Sequence, residues 1–188
     1  NKGDDVHPEY RSRLVAKEIK TDSREGLFAA TPPLEAVKTL MSLATTEGIG
    51  YDRHSRVGAL KLDSIDVRRA FFYASCLREV YVDLPEKDAE PGMCGKLVKA
   101  MYGTRDAAQN WEKAYGDFME SVGFETGKAG PCVFLHKDRN LRCVVHGDDF
   151  TTAGPKCEID RFEDLVEQKY ELKKGGRLGP GPNDTKEL

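Results

Sequence analysis

The sequence predicts an α+β fold, an antiparallel sheet with helices packed on one face. Three observations carry the prediction. Apolar residues recur with helical spacing in three separate stretches, within 31–48, 104–123 and 155–170. Short strand-like runs lie between them, and two of these, "CVFLH" and "LRCVVH", are joined only by the polar turn "KDRN". Gly48, Pro85 and Gly123 punctuate the junctions. The resulting order is strand–helix–strand–strand–helix–hairpin–helix, which leaves the other face of the sheet free for a long substrate.

Residues 1–9 are polar, with Asp4, Asp5 and Glu9, and read as a frayed end. "YRSRLVAKEIKTDSR" then carries Arg11, Arg13, Lys17, Lys20 and Arg24 around a short apolar run. Alternation puts Arg11 and Arg13 on one face of a strand, either a solvated edge blunted by charge or an anion-binding strand. "TPPLEAVKTLMSLATTEG" is a helix: Thr31 can cap it, and Pro32 and Pro33 suit its first turn. Leu34, Val37, Leu40, Met41 and Ala44 form its apolar stripe, and Gly48 ends it.

"ALKLDSIDV" is a strand, on which Asp63 and Asp66 are three apart and point to opposite faces, so only one can join a given site. "REVYVDLP" is a second strand, stopped by Pro85. "CGKLVKAMYG" is a short strand and turn. In "TRDAAQNWEKAYGDFMESVG" the helical stripe Trp111, Tyr115, Phe118 and Val122 reads as core. After the hairpin, "CVVHGDDFTTAG" places Asp148 and Asp149 at a tight turn before another short strand. A third helix, "PKCEIDRFEDLVEQKY", collects Ile159, Phe162, Leu165 and Val166 on one side, and the tail "GGRLGPGPND" is loop-like.

A chain of 188 residues suits one ordinary domain or most of one. With 39% hydrophobic and 32% charged residues it reads as soluble and globular. No apolar run is long enough to span a membrane, and "NKGDDVHPEY" is no signal peptide. The first residue is Asn and the last stretch is "NDTKEL", so a piece of a larger protein is expected. A net charge of −3 excludes a uniformly basic nucleic-acid binder but allows a local basic track beside an acidic metal site. The five cysteines lack C-x-x-C spacing and read as reduced thiols of an intracellular protein. Cys143 and His146 would face opposite sides of a strand, which argues against a zinc role.

The neighbouring acids Asp148 and Asp149 repel each other, so they are either solvated turn residues or ligands of something positive. Phosphoryl or nucleotidyl transfer with two Mg²⁺ ions, roughly 3.5–4 Å apart, requires several carboxylates on rigid elements. Each ion takes only one or two of them, keeping water and phosphate for the rest. A strand-end Asp beside an Asp pair at a hairpin turn would meet that need, provided the two strands are neighbours.

Six blocks stand out: "RSRLVAKE", "LFAATPPLEAVKTLMSLAT", "IDVRRAFFYASCLREVYVDLPE", "KLVKAMYGTRDAAQNW", "GFETGKAGPCVFLHKD" and "VVHGDDFTTAG". Together they resemble the reverse transcriptase of copia-type LTR retrotransposons. They stand in the family's order and run from about Arg11 to Tyr170. The resemblance implies a reverse-transcriptase palm, a ferredoxin-like sheet, with part of the fingers. It implies a single partial domain over 1–188, fingers-like to about 58 and palm over about 59–175, without thumb or RNase H.

It further implies an RNA-directed DNA polymerase using two Mg²⁺ ions, with Mn²⁺ as a substitute. The implied catalytic residues and metal ligands are Asp66, Asp148 and Asp149, with Val67 beside the first. Arg13 and Lys17 would meet the incoming triphosphate. Phe71 would stand as the aromatic gate against a ribose 2′-hydroxyl, and Asp106 occupies a nucleotide-contacting position. The implied partners are an RNA or DNA template–primer, deoxynucleoside triphosphates and the rest of a Pol polyprotein (thumb, RNase H, integrase), with no membrane. The implied location is intracellular, in cytoplasmic virus-like particles or the nucleus.

Three positions depart from the family pattern. His146-Gly147 replaces an aromatic–aliphatic pair, although G-D-D also serves viral RNA polymerases. Asp106 replaces a Gln, and an acid there would repel phosphate. Tyr73-Ala74 replaces Asn-Gly. These departures define an alternative: an inactive retrotransposon-derived palm that is at most a weak nucleic-acid-binding or structural module.

Overall fold

The computed structural model describes residues 7, 10, 12–19, 27, 29–55, 58–128, 130–180 and 184. In chain order they form helix α1 (Leu34–Thr45), strand β1 (Leu60–Val67), a 3-10 turn (Ala70–Tyr73), and short strands β2 (Tyr81–Val82) and β3 (Gly95–Lys96). Helix α2 (Ala107–Ser121) follows, then strands β4 (Glu125–Gly127), β5 (Gly130–His136), β6 (Leu141–His146) and β7 (Asp149–Pro155), helix α3 (Lys156–Glu167) and strand β8 (Leu172–Leu178). Six strands build one antiparallel sheet in the order β4-β5-β6-β7-β1-β8, while β2 and β3 pair separately. The predicted α+β class is what the chain adopts.

Strand alternation sorts the core into two layers. On one face Ile65 and Val67 of β1, Cys143 and Val145 of β6 and Phe150 of β7 meet Trp111, Tyr115, Phe118 and Met119 of α2 and Ile159, Phe162 and Val166 of α3. On the other face Leu62, Val144 and Ala153 meet Leu40 of α1, flanked by Ala36, Val37 and Ala44. The helices therefore do not share one face: α1 covers the opposite side. The cause lies in β1, β6 and β7, which carry apolar residues on both faces at one end, as the adjacent Val144 and Val145 show. That second apolar face needs its own cover. Among the described residues, the face expected to be free is covered by α1 at one end, and β1 continues beyond it through Ser64 to Asp66.

α1 also sits differently from its predicted stripe. Leu40 is its buried residue, whereas Leu34 and Met41 are exposed and no side chain caps the helix after Pro33. The charged N-terminal stretch is no strand over 12–19; it follows Tyr102 instead, with the Ala16 N–H donating to the Tyr102 carbonyl at 2.8 Å. The supposedly loop-like tail supplies part of β8, which pairs with β1 as an edge strand. Gly175 and Gly176 disguise it, and they form a bulge where the register shifts between Asp63 and Ile65, with Gly176 at φ 86°.

Candidate active site

β6 ends at His146 and β7 begins at Asp149, so Gly147 and Asp148 are the whole connection. Gly147 has φ 63°, and the first position of a two-residue hairpin turn favours glycine for that reason. The turn is held from two sides. The Trp111 indole Nε1–H donates to the Gly147 carbonyl at 2.7 Å. The Val67 N–H donates to the Asp148 carbonyl at 2.8 Å. The strand that carries Asp66 and the helix that fills the core thus both grip the turn that carries Asp148.

Across the sheet, His146, Asp149, Asp66 and Lys173 stand in one cross-strand row. Strand periodicity puts them on the face opposite α2 and α3. Asp66 and Asp148 both wall a cleft of about 1180 Å³, together with Arg13, Phe72, Tyr102 and Lys173. The Arg13 guanidinium carbon lies 4.8 Å from the centroid of the Tyr102 ring. Burial pushes the Tyr102 hydroxyl pKa up, the negative charges of Asp148 and Asp66 add to this, and Arg13 opposes it. One phenol thus feels both carboxylates.

Asp66, Asp148 and Arg13 are therefore brought together. Asp149 is exposed beside Asp66 in the same row but lies outside the cleft wall. The Val67 side chain is fully buried in the apolar core, so only its main-chain carbonyl could serve a cation. Lys17 is exposed and outside the wall. Arg11, Lys20 and Arg24 lie outside the described residues. Phe71 packs against Tyr102 with ring centroids 4.5 Å apart, and it is Phe72 that reaches the cleft.

Asp106 does not come to the cleft. It is buried, with Oδ1 accepting from Arg78 Nη2 at 3.0 Å and Oδ2 accepting from Asn110 Nδ2 at 3.1 Å. Asp63 and Asp66 separate as strand geometry requires: Asp63 is buried on the α3 side against Arg177 Nε at 3.2 Å. Cys143 is buried while His146 is exposed, on opposite faces of β6.

Among the described residues no group of three or more His, Cys, Asp and Glu side chains is disposed to hold a metal ion. Asp66 and Asp148 nevertheless offer hard carboxylate oxygens to one cleft. That donor set fits a hard divalent cation, which takes one or two carboxylates and completes its shell with water.

Sequence reasoning missed several residues around this cleft. Tyr102 was present in the block "KAMYG" without a role, and Trp111 was read as core alone. Lys173, cross-strand from Asp66, was hidden beside the glycine-rich tail. At the rim, Arg68 Nη1 pairs with Glu171 Oε1 at 3.1 Å and Arg69 pairs with the other oxygen. No spacing rule links Arg68 and Arg69 to a residue about a hundred positions away.

The family described as reverse transcriptase (RNA-dependent DNA polymerase) matches residues 1–179. The chain belongs to this family. Over 181 residues it is 24% identical to a retrovirus-related Pol polyprotein from transposon TNT 1-94 of Nicotiana tabacum, covering 91% of this chain and 13% of that protein. It is 27% identical over 171 residues to the corresponding polyproteins from transposons RE2 and RE1 of Arabidopsis thaliana, covering 87% of this chain and 11% of each. The chain thus spans only a small part of these relatives. No solved structure matches it significantly. The expected kinship with reverse transcriptases of copia-type LTR retrotransposons is shown by these matches. No helix among the described residues of this reverse transcriptase domain is long and apolar enough to cross a membrane.

Proposed function

We propose that this reverse transcriptase domain forms the palm, over about 59–175, and part of the fingers, over about 1–58, of an RNA-directed DNA polymerase. The observation that carries the reading is the shared cleft of Asp66 and Asp148, with Arg13 facing them over Tyr102. The reaction class is nucleotidyl transfer, in which a primer 3′-hydroxyl attacks an α-phosphate and pyrophosphate departs.

Asp66 and Asp148 would hold divalent cations, two Mg²⁺ or Mn²⁺, with Asp149 and the Val67 carbonyl as further ligands. When bound, such ions supply Lewis-acid activation and neutralise charge on the phosphates. Arg13 offers a guanidinium fork to phosphate oxygens, and Lys17 a second cation nearby. Phe71 would act as steric gate by backing the Tyr102 ring, leaving little space for a 2′-hydroxyl. An RNA or DNA template–primer would lie on the sheet face beyond α1, held by its backbone through salt-sensitive contacts. Deoxynucleoside triphosphates are the substrates. The other parts of a Pol polyprotein (thumb, RNase H, integrase) would complete the machine inside the cell, in cytoplasmic virus-like particles or the nucleus.

A second reading, an inactive palm that binds nucleic acid weakly, is favoured by the lack of a three-carboxylate group among the described residues. Primer extension on an RNA template with Mg²⁺ separates the two, using this chain and a longer polyprotein product that contains it. Extension lost in both Asp66→Asn and Asp148→Asn supports the polymerase. Absence of extension from both folded proteins supports the inactive palm.

A further inference from the structure

We infer that Asp106 is a positioning residue: with Arg78 and Glu18 it fastens residues 12–19 beside the cleft and so holds Arg13 over Tyr102. This rests on the polymerase reading only for its consequence in catalysis, since the fastening itself is a matter of geometry.

The contacts form a continuous chain. Asp106 is 4% exposed and accepts from Arg78 Nη2 and Asn110 Nδ2. The same Arg78 Nη2 donates to Glu18 Oε2 at 2.5 Å, and that oxygen also accepts from the Arg105 backbone N–H at 2.8 Å. Glu18 belongs to the segment that passes Tyr102, where Ala16 N–H donates to the Tyr102 carbonyl. The approach is close because Gly103 has no side chain: a Cβ there would lie 1.8 Å from the Ala16 carbonyl oxygen. Five residues before Glu18, the guanidinium of Arg13 rests on the Tyr102 ring. One end of the segment is therefore tied by an ion-pair network, its middle by a backbone hydrogen bond, and its start by a cation over an aromatic face.

The carboxylate of Asp106 is fully engaged and borders a different cavity, of about 530 Å³, walled by Gln109, Asn110 and Lys113 of α2. Neither Asp66 nor Asp148 borders that cavity. A direct contact between Asp106 and a nucleotide in the carboxylate cleft would require Arg78 and Asn110 to be abandoned. Asp106 is itself buried, and a buried carboxylate stripped of its hydrogen-bond partners is strongly penalised.

Two hypotheses for position 106 predict opposite signs for one substitution. If Asp106 meets the nucleotide, Asp106→Gln removes a repelling charge and lowers KM for the deoxynucleoside triphosphate. If Asp106 positions the segment, Asp106→Gln loosens it and raises that KM, by about tenfold, with kcat changed less. Glu18→Gln, on an otherwise exposed stretch, should reproduce the effect without disturbing the core.

Amide hydrogen exchange followed by NMR makes the test independent of activity. Asp106→Asn and Glu18→Gln should each speed exchange at Ala16 and Arg105 by about tenfold while amides inside α2, such as Tyr115, keep their protection. Unchanged exchange at Ala16 and Arg105 in both variants overturns the proposal, as does a lower KM in Asp106→Gln. Faster exchange, with no primer extension by either the wild-type chain or the longer polyprotein product, sustains the fastening and defeats the polymerase reading instead.

Discussion

The Trp111 indole of α2 and the Gly147 carbonyl of the β6–β7 turn are joined by a 2.7 Å hydrogen bond, so a residue at the centre of the core also holds the acidic turn. Trp111 is 1% exposed and stacks edge-on with Tyr115 and Tyr170. Trp111→Phe keeps an aromatic ring but removes the donor and some volume. It should destabilise the domain by about 1–3 kcal/mol, read from urea unfolding. Primer extension should fall further than in a core substitution of equal cost made away from the turn, such as Phe162→Leu.

Asp66 and Asp148 bring two like charges to one cleft, an arrangement that a bound cation would relieve. In EDTA, Asp66→Asn and Asp148→Asn should match or exceed the wild-type melting temperature. Mg²⁺ at ten times its Kd should stabilise the wild type by about 1.4 kcal/mol and leave both variants nearly unmoved. Calorimetry across a Mg²⁺ series checks this, and an equal response in all three proteins would remove these residues from the metal site.

Burial pushes the Asp106 pKa up, yet hydrogen bonds from Arg78 and Asn110 more than reverse this and hold it below the ordinary carboxylate range. With the folded value depressed, the unfolded chain binds more protons, so stability rises with pH across that window. The contribution is complete above about pH 4 and is lost as acid titrates the folded group. Asp106→Asn should therefore flatten the acid limb of a stability–pH curve below about pH 4 relative to wild type, measured by urea midpoints.

Leu40 is the buried residue of α1 and packs against Leu62, Val144 and Ala153. Leu40→Ala should cost about 2–4 kcal/mol. Met41→Ala, at an exposed position of the same helix, should cost far less, and denaturant midpoints for the pair test whether α1 covers this second face.

Helices and hairpin were legible because their signals are local: the aromatic spacing of α2, the polar turn before Leu141 and the apolar side of α3 each lie within one element. The adjacency of Asp66 to the hairpin was legible as a condition, since acids in two separated stretches imply neighbouring strands if they serve one site. What escaped depends on distant partners. Two glycines hid β8, because a bulge can absorb what would break an isolated strand. The side of the sheet chosen by α1 depends on which face of β1, β6 and β7 lacks cover, and helical periodicity is blind to that. By sequence Asp106 is an acid set near phosphate; its actual partner, Arg78, lies 28 positions away.

Both strands that flank β1 come late in the chain. Its strand partners among the described residues are β7 and β8, about 80 to 115 positions further on. During translation, the segment bearing Asp66 must therefore wait until most of the domain has left the ribosome before any neighbour can zip onto it. Sheet closure, and with it the meeting of the two carboxylates, falls among the last and slowest steps of assembly. A domain cut short before β7 would carry Asp66 on a strand with neither partner.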